Sequence, residues 1–236
     1  MCFYNSQSKR AMELAKRYGR RSDILEMVQE IIDEQYKVTA FINPDCPIVT
    51  LDENIQVAKW GLIPSWTKTE EEAKKISKMT LNARSETVFN LPSYRISILR
   101  KRCLIPSTGY FEFHHEGNEA LPYFIFLKDA SIFSLGGLYE IWQNPVTKEN
   151  IQTFSVLTTE ANKLCGEIHN GGKNPLRMPV IIRQEREEQW LDIHLKIDDI
   201  KPFFIPFDES KMDAYPISKD FLKKSSKDAS LIERAA

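Results

Sequence analysis

The sequence predicts a single α+β domain. Helical periodicity is confined to the first thirty or so residues and a few short later segments, whereas from Tyr36 onward the chain consists mainly of short apolar runs broken by turn residues. No internal repeat or Pro/Gly/Ser-rich linker divides the 236 residues, a length suited to one sizeable core.

The elements follow in order. Ala11, Leu14, Ala15 and Tyr18 recur at helical spacing, and Gly19 is placed to end that helix. Asp23 and Glu26 have capping-box spacing ahead of Ile24, Met27, Val28, Ile31 and Ile32, an apolar stripe expected to cover a sheet. Residues 38–41, 48–51 and 55–60 read as strands, separated by Pro44, Asp45 and Pro47 and then by Asp52, Glu53 and Asn54. Trp60-Gly61-Leu62-Ile63-Pro64-Ser65-Trp66 places two tryptophans around a Gly/Pro turn. It reads either as a packed aromatic corner or as a rim of stacking surfaces beside a cleft. Glu70/Lys74 and Glu71/Lys75 predict a short exposed helix over residues 69–78. Asn82-Ala83-Arg84-Ser85-Glu86-Thr87 reads as a loop or a helix start; Asn82 brings a donor and an acceptor, Arg84 a planar fork suited to phosphate.

A β-rich block comes next. Residues 102–106 lead into Gly109-Tyr110-Phe111-Glu112-Phe113-His114, where alternation puts Phe111 and Phe113 on one face and Tyr110, Glu112 and His114 on the other. A carboxyl among aromatic rings is a candidate acid or base, although the same pattern fits an ordinary polar face. Residues 123–127, 132–138 and 153–158 are further strands, with Gly136-Gly137 marking a bend or close backbone approach. A short helix is expected from about Thr159 through Ala161 and Leu164, then a Gly/Pro loop with His169 at its base. Its Gly171-Gly172-Lys173 lacks the spacing and the following Ser/Thr of a phosphate-binding P-loop. Residues 180–182 read as a strand and 185–193 as a helix. The domain is expected to span residues 2–218, and residues 219–236 to form a loosely held polar tail.

Composition narrows the function classes. The apolar fraction is 42%, and no apolar run approaches the ~20 residues that span a bilayer. The N-terminus lacks the apolar segment of a signal peptide, so a soluble, cytoplasmic protein without a membrane partner is expected. Cys2, Cys46, Cys103 and Cys165 are widely spaced, which argues against a zinc site or disulfide framework. A net charge of −1 argues against coating of nucleic acid by bulk charge, so any such role needs a local basic cleft.

The start of the chain carries distinctive chemistry. Methionine before a small residue is a substrate for aminopeptidases, and removal of Met1 would give Cys2 a free α-amine beside its thiol. An α-amine has a pKa of about 7.7–8.0 against about 10.4 for lysine, so at neutral pH it is about 300-fold more often the neutral nucleophile. Amine and thiol together trap an aldehyde as an imine that closes to a five-membered thiazolidine, which an internal cysteine cannot do. Position alone also allows Cys2 to be an incidental residue at a frayed terminus.

Taken together and in order, Cys2, WGLIPSW, NARSET, RCLIPSTGYFEF and the IHN and RMPV segments resemble the SRAP family of SOS response-associated peptidases, also called abasic-site processing proteins. The resemblance covers residues 2 to about 182, with a fainter echo at Tyr215-Pro216-Ile217-Ser218. It implies a β-barrel-like antiparallel core with flanking helices, no cofactor, a monomer, and abasic single-stranded DNA as partner. It also implies a covalent DNA–protein crosslink in the DNA damage response, with self-removal of Met1 and lyase or crosslink-reversal activity. Carried onto this chain, Cys2 is the nucleophile, Asn82 orients the amine or a sugar hydroxyl, Glu112 is acid/base on the imine, and His169 moves protons in ring opening and reversal. Arg84, Trp60, Trp66, Lys173 and Arg177 would contact DNA. Two departures stand out. Phe3-Tyr4 replaces the usual Gly-Arg, so Lys9 or Arg10 would have to supply the lost cation, or Tyr4 stack on a base. A Gly/Lys loop also separates His169 from Arg177. A non-catalytic reader of single-stranded or modified DNA would need Arg84 and the tryptophans but not Cys2, and a member that has lost DNA binding is a third alternative.

Overall fold

The computed structural model of the protein describes residues 2–27, 35–172 and 174–235. Strand β1 (Tyr4–Gln7) opens the chain and α1 (Ala11–Tyr18) follows, ending at Gly19 in the left-handed conformation. α1 buries Ala11, Leu14 and Tyr18. It is anchored by Arg17, whose guanidinium donates to both Glu187 oxygens at 3.0 and 2.8 Å. α2 (Asp23–Met27) begins at Asp23 itself, so Ser22 precedes its first turn, and the Ser22 hydroxyl donates to the Glu26 carboxylate at 2.6 Å. Met27 is 85% exposed and covers no sheet; Val28, Ile31 and Ile32 lie outside the described residues.

Strands β2 (Gln35–Thr39), β3 (Asp45–Ile48) and β4 (Gln56–Trp60) come next. α3 (Glu70–Met79) is capped by the Thr69 hydroxyl, which accepts from the Glu72 N–H at 3.1 Å. Residues 82–84, expected to be a loop or helix start, instead form strand β5 (Asn82–Arg84). The edge of a neighbouring strand captures their backbone, a nonlocal cause that composition does not reveal. Beyond α4 (Ser97–Arg100) lie β6 (Arg102–Ser107), β7 (Gly109–Glu116), β8 (Glu119–Leu127), β9 (Phe133–Gln143) and β10 (Asn150–Glu160). α5 (Lys163–Ile168) starts later than expected, because the Asn162 side chain caps it by accepting from Cys165 N–H at 2.9 Å. Thr159 and Ala161 therefore precede the helix. The chain finishes with β11 (Arg177–Pro179), β12 (Ile181–Ile182), α6 (Glu187–Leu191), α7 (Ile197–Ile200) and β13 (Met212–Pro216).

The fold is α+β, with two sheets curled about a shared interior. Among the described residues the pairing makes two open sheets and not one closed ring. The first sheet, ordered β13-β8-β7-β1-β2, is antiparallel throughout. The second runs β12-β9-β10-β4-β3, with β6 also on β9 and with β5 and β11 also on β10. The pairing in this sheet is mainly antiparallel as expected, with two exceptions: β4 and β5 both run parallel to β10. At 11 residues β10 is long enough to change partners along its length: β9 gives way to β11, and β4 gives way to β5. Gly137 on β9 supplies the predicted close approach, as a Cβ there would lie 2.4 Å from Ile105 Cδ1 and 3.1 Å from Ser155 O.

One apolar cluster, including Leu14, Leu62, Ile98 and Trp190, packs helices onto the second sheet. A second, including Cys2, Trp60, Tyr110, Phe154 and Met178, draws on both sheets. A third holds Phe111, Phe124, Phe221 and Leu231. That third cluster corrects the expectation of a loose tail beyond residue 218. Single-turn 3-10 helices at Lys219–Leu222 and Ala229–Ile232 bury Phe221 and Leu231 against Phe111 and Phe124. Lys37 Nζ donates to the carbonyls of Phe221 at 2.8 Å and Lys224 at 2.7 Å, fastening the segment to β2.

Candidate active site

The site is assembled where β1, β7, β10 and α5 meet. β1 hydrogen-bonds β7, with Tyr4 opposite Phe111 and Asn5 opposite Tyr110. That pairing draws the start of the chain into the interior: Cys2 is fully buried, and its thiol donates to the Tyr4 carbonyl at 3.7 Å. Burial, with the Glu112 carboxylate adding to it, pushes the Cys2 thiol up. Alternation along β7 follows the sequence reading. Phe111 and Phe113 face the third cluster, and Tyr110 faces the interior cluster that holds Cys2.

Glu112 is buried, and burial pushes its carboxyl up to about 8. His169 follows α5, its backbone N–H donating to the Cys165 carbonyl at 2.8 Å. Its Nε2 lies 3.9 Å from Glu112 Oε2, and its Nδ1–H donates to the Arg177 carbonyl at 3.0 Å. A carbonyl can only accept, so this bond places the proton on Nδ1 and turns the basic Nε2 toward Glu112. Burial pushes His169 down to about 4. At neutral pH the pair is thus a protonated carboxyl facing a neutral imidazole, one donor and one acceptor. Their separation exceeds a hydrogen bond.

The partner exchange along β10 brings in the remaining motifs. Thr158 pairs with Arg84 on one edge and with Pro179 on the other, so the Asn82–Arg84 and Arg177–Pro179 strands flank the same end of β10. Asn82 is buried next to Leu81, a member of the Cys2 cluster, and both polar atoms of its carboxamide lack a protein partner. An amide desolvated without a hydrogen bond costs about 1–3 kcal/mol, so its two polar atoms are open to a partner from outside the protein. Arg84 projects outward, its side chain 49% exposed and 3.8 Å from Glu86.

Two residues expected at a DNA surface are internal. Trp60 is 1% exposed, stacks on Phe154 at 5.7 Å, and donates its indole N–H to the Leu81 carbonyl at 2.8 Å. It is a core residue that supports the Asn82 strand, not a stacking platform. Arg177 is buried, its side chain 5% exposed, and donates to both oxygens of Glu86 at 2.5 and 3.0 Å and to the Thr158 carbonyl at 2.7 Å. It ties β10, β11 and residue 86 together and presents no charge to a ligand. Trp66, by contrast, is 51% exposed. Lys173 and Met1 lie outside the described residues. Tyr4 packs edge-on against Phe41, Phe113 and Phe221, so its ring is engaged within the protein, while Lys9 lies at the surface beside Glu13.

Sequence reasoning missed the contact of Tyr110 with Cys165 (OH to Sγ, 3.1 Å) and the role of Glu86. Glu86 lies inside the quoted NARSET motif, but nothing local joins it to a residue 91 positions away.

The site thus groups a buried thiol at residue 2 with a carboxyl–imidazole pair that supplies one proton donor and one acceptor. The chain matches the SOS response associated peptidase (SRAP) family over residues 1–223, and it belongs to that family. It is 31% identical over 211 residues to the abasic site processing protein YoqW of Bacillus subtilis, covering 85% of this chain and 89% of that one. Abasic site processing protein HMCES of Gallus gallus is 30% identical over 154 residues, 57% of this chain and 44% of that one. The crystal structure of a Bacteroides thetaiotaomicron protein matches across 100% of both chains, with a TM-score of 0.97 and 50% identity. No helix among the described residues is long and apolar enough to cross a membrane.

Proposed function

We propose that this protein processes abasic sites in DNA, and that it does so by a covalent bond from Cys2 to the ring-opened sugar in single-stranded DNA. The observation that carries this reading is the Glu112–His169 pair, 3.9 Å apart, beside a buried thiol at residue 2. Once Met1 is removed, the α-amine of Cys2 attacks the sugar aldehyde to give a carbinolamine. Glu112, protonated at neutral pH, donates to the departing hydroxyl, and water leaves as the imine forms. The thiol then adds across the C=N bond, its proton passing to nitrogen, and a thiazolidine results with net loss of one water.

His169 accepts and returns the proton of the sugar hydroxyl during ring opening, and the same pair serves reversal. Strand cleavage by β-elimination would proceed from the imine, so it competes with closure by sulfur. The Asn82 carboxamide hydrogen-bonds the amine or the sugar, Arg84 holds a flanking phosphate, and Trp66 offers a face to a base. The protein acts as a monomer, without a cofactor. Self-removal of Met1 is the peptidase step in this scheme.

The test is intact mass before and after incubation with an abasic single-stranded oligonucleotide. Loss of Met1 and gain of the oligonucleotide less one water, stable to denaturation, is expected for the wild type and absent in Cys2→Ala. A Met1-processed wild type that binds the DNA salt-dependently but forms no adduct would overturn the covalent scheme and favour a non-catalytic reader.

A further inference from the structure

The loop between His169 and Arg177, which departs from the family pattern in sequence, carries a contact that the scheme above leaves unused. Asn170 folds its side chain onto the end of β7. Its Oδ1 accepts from the His115 N–H at 2.8 Å, and its Nδ2 donates to the His115 carbonyl at 3.0 Å. One carboxamide thus satisfies both backbone groups of one residue, as a neighbouring strand would. Two further contacts reinforce the junction. His114 Nδ1–H donates to the Glu167 carbonyl at 2.8 Å, near the end of α5. Gly171 is pressed on the His115 ring so closely that a Cβ would lie 2.4 Å from Cδ2, and a side chain there would displace the ring.

These contacts bracket the reacting pair. Glu112 lies three residues before His115 on the same strand, and His169 directly precedes Asn170. Within β7 the geometry from 112 to 115 is set by pairing to β8, with Glu112 opposite Tyr123 and His115 opposite Ala120. On the other side, α5 and the Arg177 carbonyl hold the imidazole. The Asn170–His115 clamp and the His114–Glu167 bond both join the two halves within three residues of the reacting groups, and the clamp alone joins at two points. His169 faces Glu112 and His115 from β7 and Arg177 from β11, so a slackened clamp alters its charged surroundings as well as its distance to Glu112.

We infer that Asn170 is a positioning residue: its two-point bond to the His115 backbone sets the distance and orientation of His169 relative to Glu112 for the aldehyde chemistry. The inference rests on the abasic-site reading for its consequences, but the geometry it asserts can be measured without DNA.

The experiment pairs Asn170→Ala with Gly171→Ala, and uses Asn170→Asp to keep the acceptor half of the clamp. NMR titration of the histidine ring signals is read without DNA, and single-turnover adduct formation at saturating abasic oligonucleotide is read across pH. For Asn170→Ala the His169 titration is expected to move toward that of a free imidazole, with the adduct rate down about tenfold and its pH profile displaced. DNA affinity is expected to fall less than the adduct rate, since neither Asn170 nor His115 is among the residues assigned to the DNA surface. Asn170→Asp should fall between Asn170→Ala and wild type, and Gly171→Ala should behave as Asn170→Ala. If the His169 titration and the pH profile of a folded Asn170→Ala protein match wild type, the positioning role is overturned. If the wild type itself forms no adduct, the functional reading fails, and the titration alone still decides whether the clamp holds the imidazole.

Discussion

Glu112 and His169 are each displaced from their solution behaviour by the same cause, removal from water, but in opposite directions. This gives a pH signature independent of any substrate. Glu112 is raised from 4.5 to about 8, so over that range the folded protein holds a proton the unfolded chain has released, and stability falls as pH rises. His169 is lowered from 6.5 to about 4, so over that range the unfolded chain holds the extra proton, and stability climbs with pH. The two slopes offset between 4.5 and 6.5 and leave Glu112 alone from 6.5 to about 8. Denaturant titrations of the wild type should lose on the order of 1–2 kcal/mol across that upper window. Glu112→Gln should abolish the decline. An equal decline in Glu112→Gln would show that the carboxyl is not held protonated.

At the scale of elements, the decisive feature is a strand, β10, that takes different neighbours at its two ends. Its far end lies between the NARSET and RMP strands, and the buried Arg177 guanidinium bonds to Thr158 on β10 and to Glu86 just past β5. Glu86→Ala should therefore destabilise the protein by about 1–3 kcal/mol, because it strands a desolvated cation, with part of the loss offset by the partial exposure of Glu86. Thermal melts of Glu86→Ala and Arg177→Met together separate the two readings of Arg177. A structural role predicts that Arg177→Met is milder than Glu86→Ala, since an apolar side chain of similar length leaves no buried charge. A DNA-binding role predicts unchanged stability in both.

For the whole molecule, the segment beyond residue 218 is a strap over the back of the sheet that holds β1. Phe221 meets Phe111 at 4.6 Å and Tyr4 at 5.3 Å between ring centroids, so it supports the strand that carries Cys2 from behind. Phe221→Ala should cost about 3–5 kcal/mol in denaturant unfolding. It should also lower adduct yield at temperatures where wild type is fully active. A change within about 0.5 kcal/mol, the range of ordinary surface substitutions, would show that the strap is not part of the folded unit.

Much of this protein is decided by local chemistry and is therefore legible in the chain. The face alternation of β7, the stop at Gly19 and the Thr69-capped helix follow from side-chain period and from backbone groups that must be satisfied within a turn or two. The role proposed for Cys2 is legible for a different reason: it depends on the residue's place directly after Met1, which is a matter of covalent sequence and not of fold. Properties that depend on which distant segment fills a space are not legible. Trp60 and Trp66 belong to one motif with the same flanking turn, yet one is core and the other surface, because Phe154 and the Leu81 carbonyl come from elsewhere in the chain. Arg84 and Arg177 both read as DNA contacts, and only the arrival of Glu86 and Thr158 at Arg177 turns one of them inward. The raised Glu112 and lowered His169 likewise follow from burial, which arises when two sheets close over residues 57 positions apart in the chain. Desolvation is a property of the packed interior, so it comes into being only with the tertiary fold.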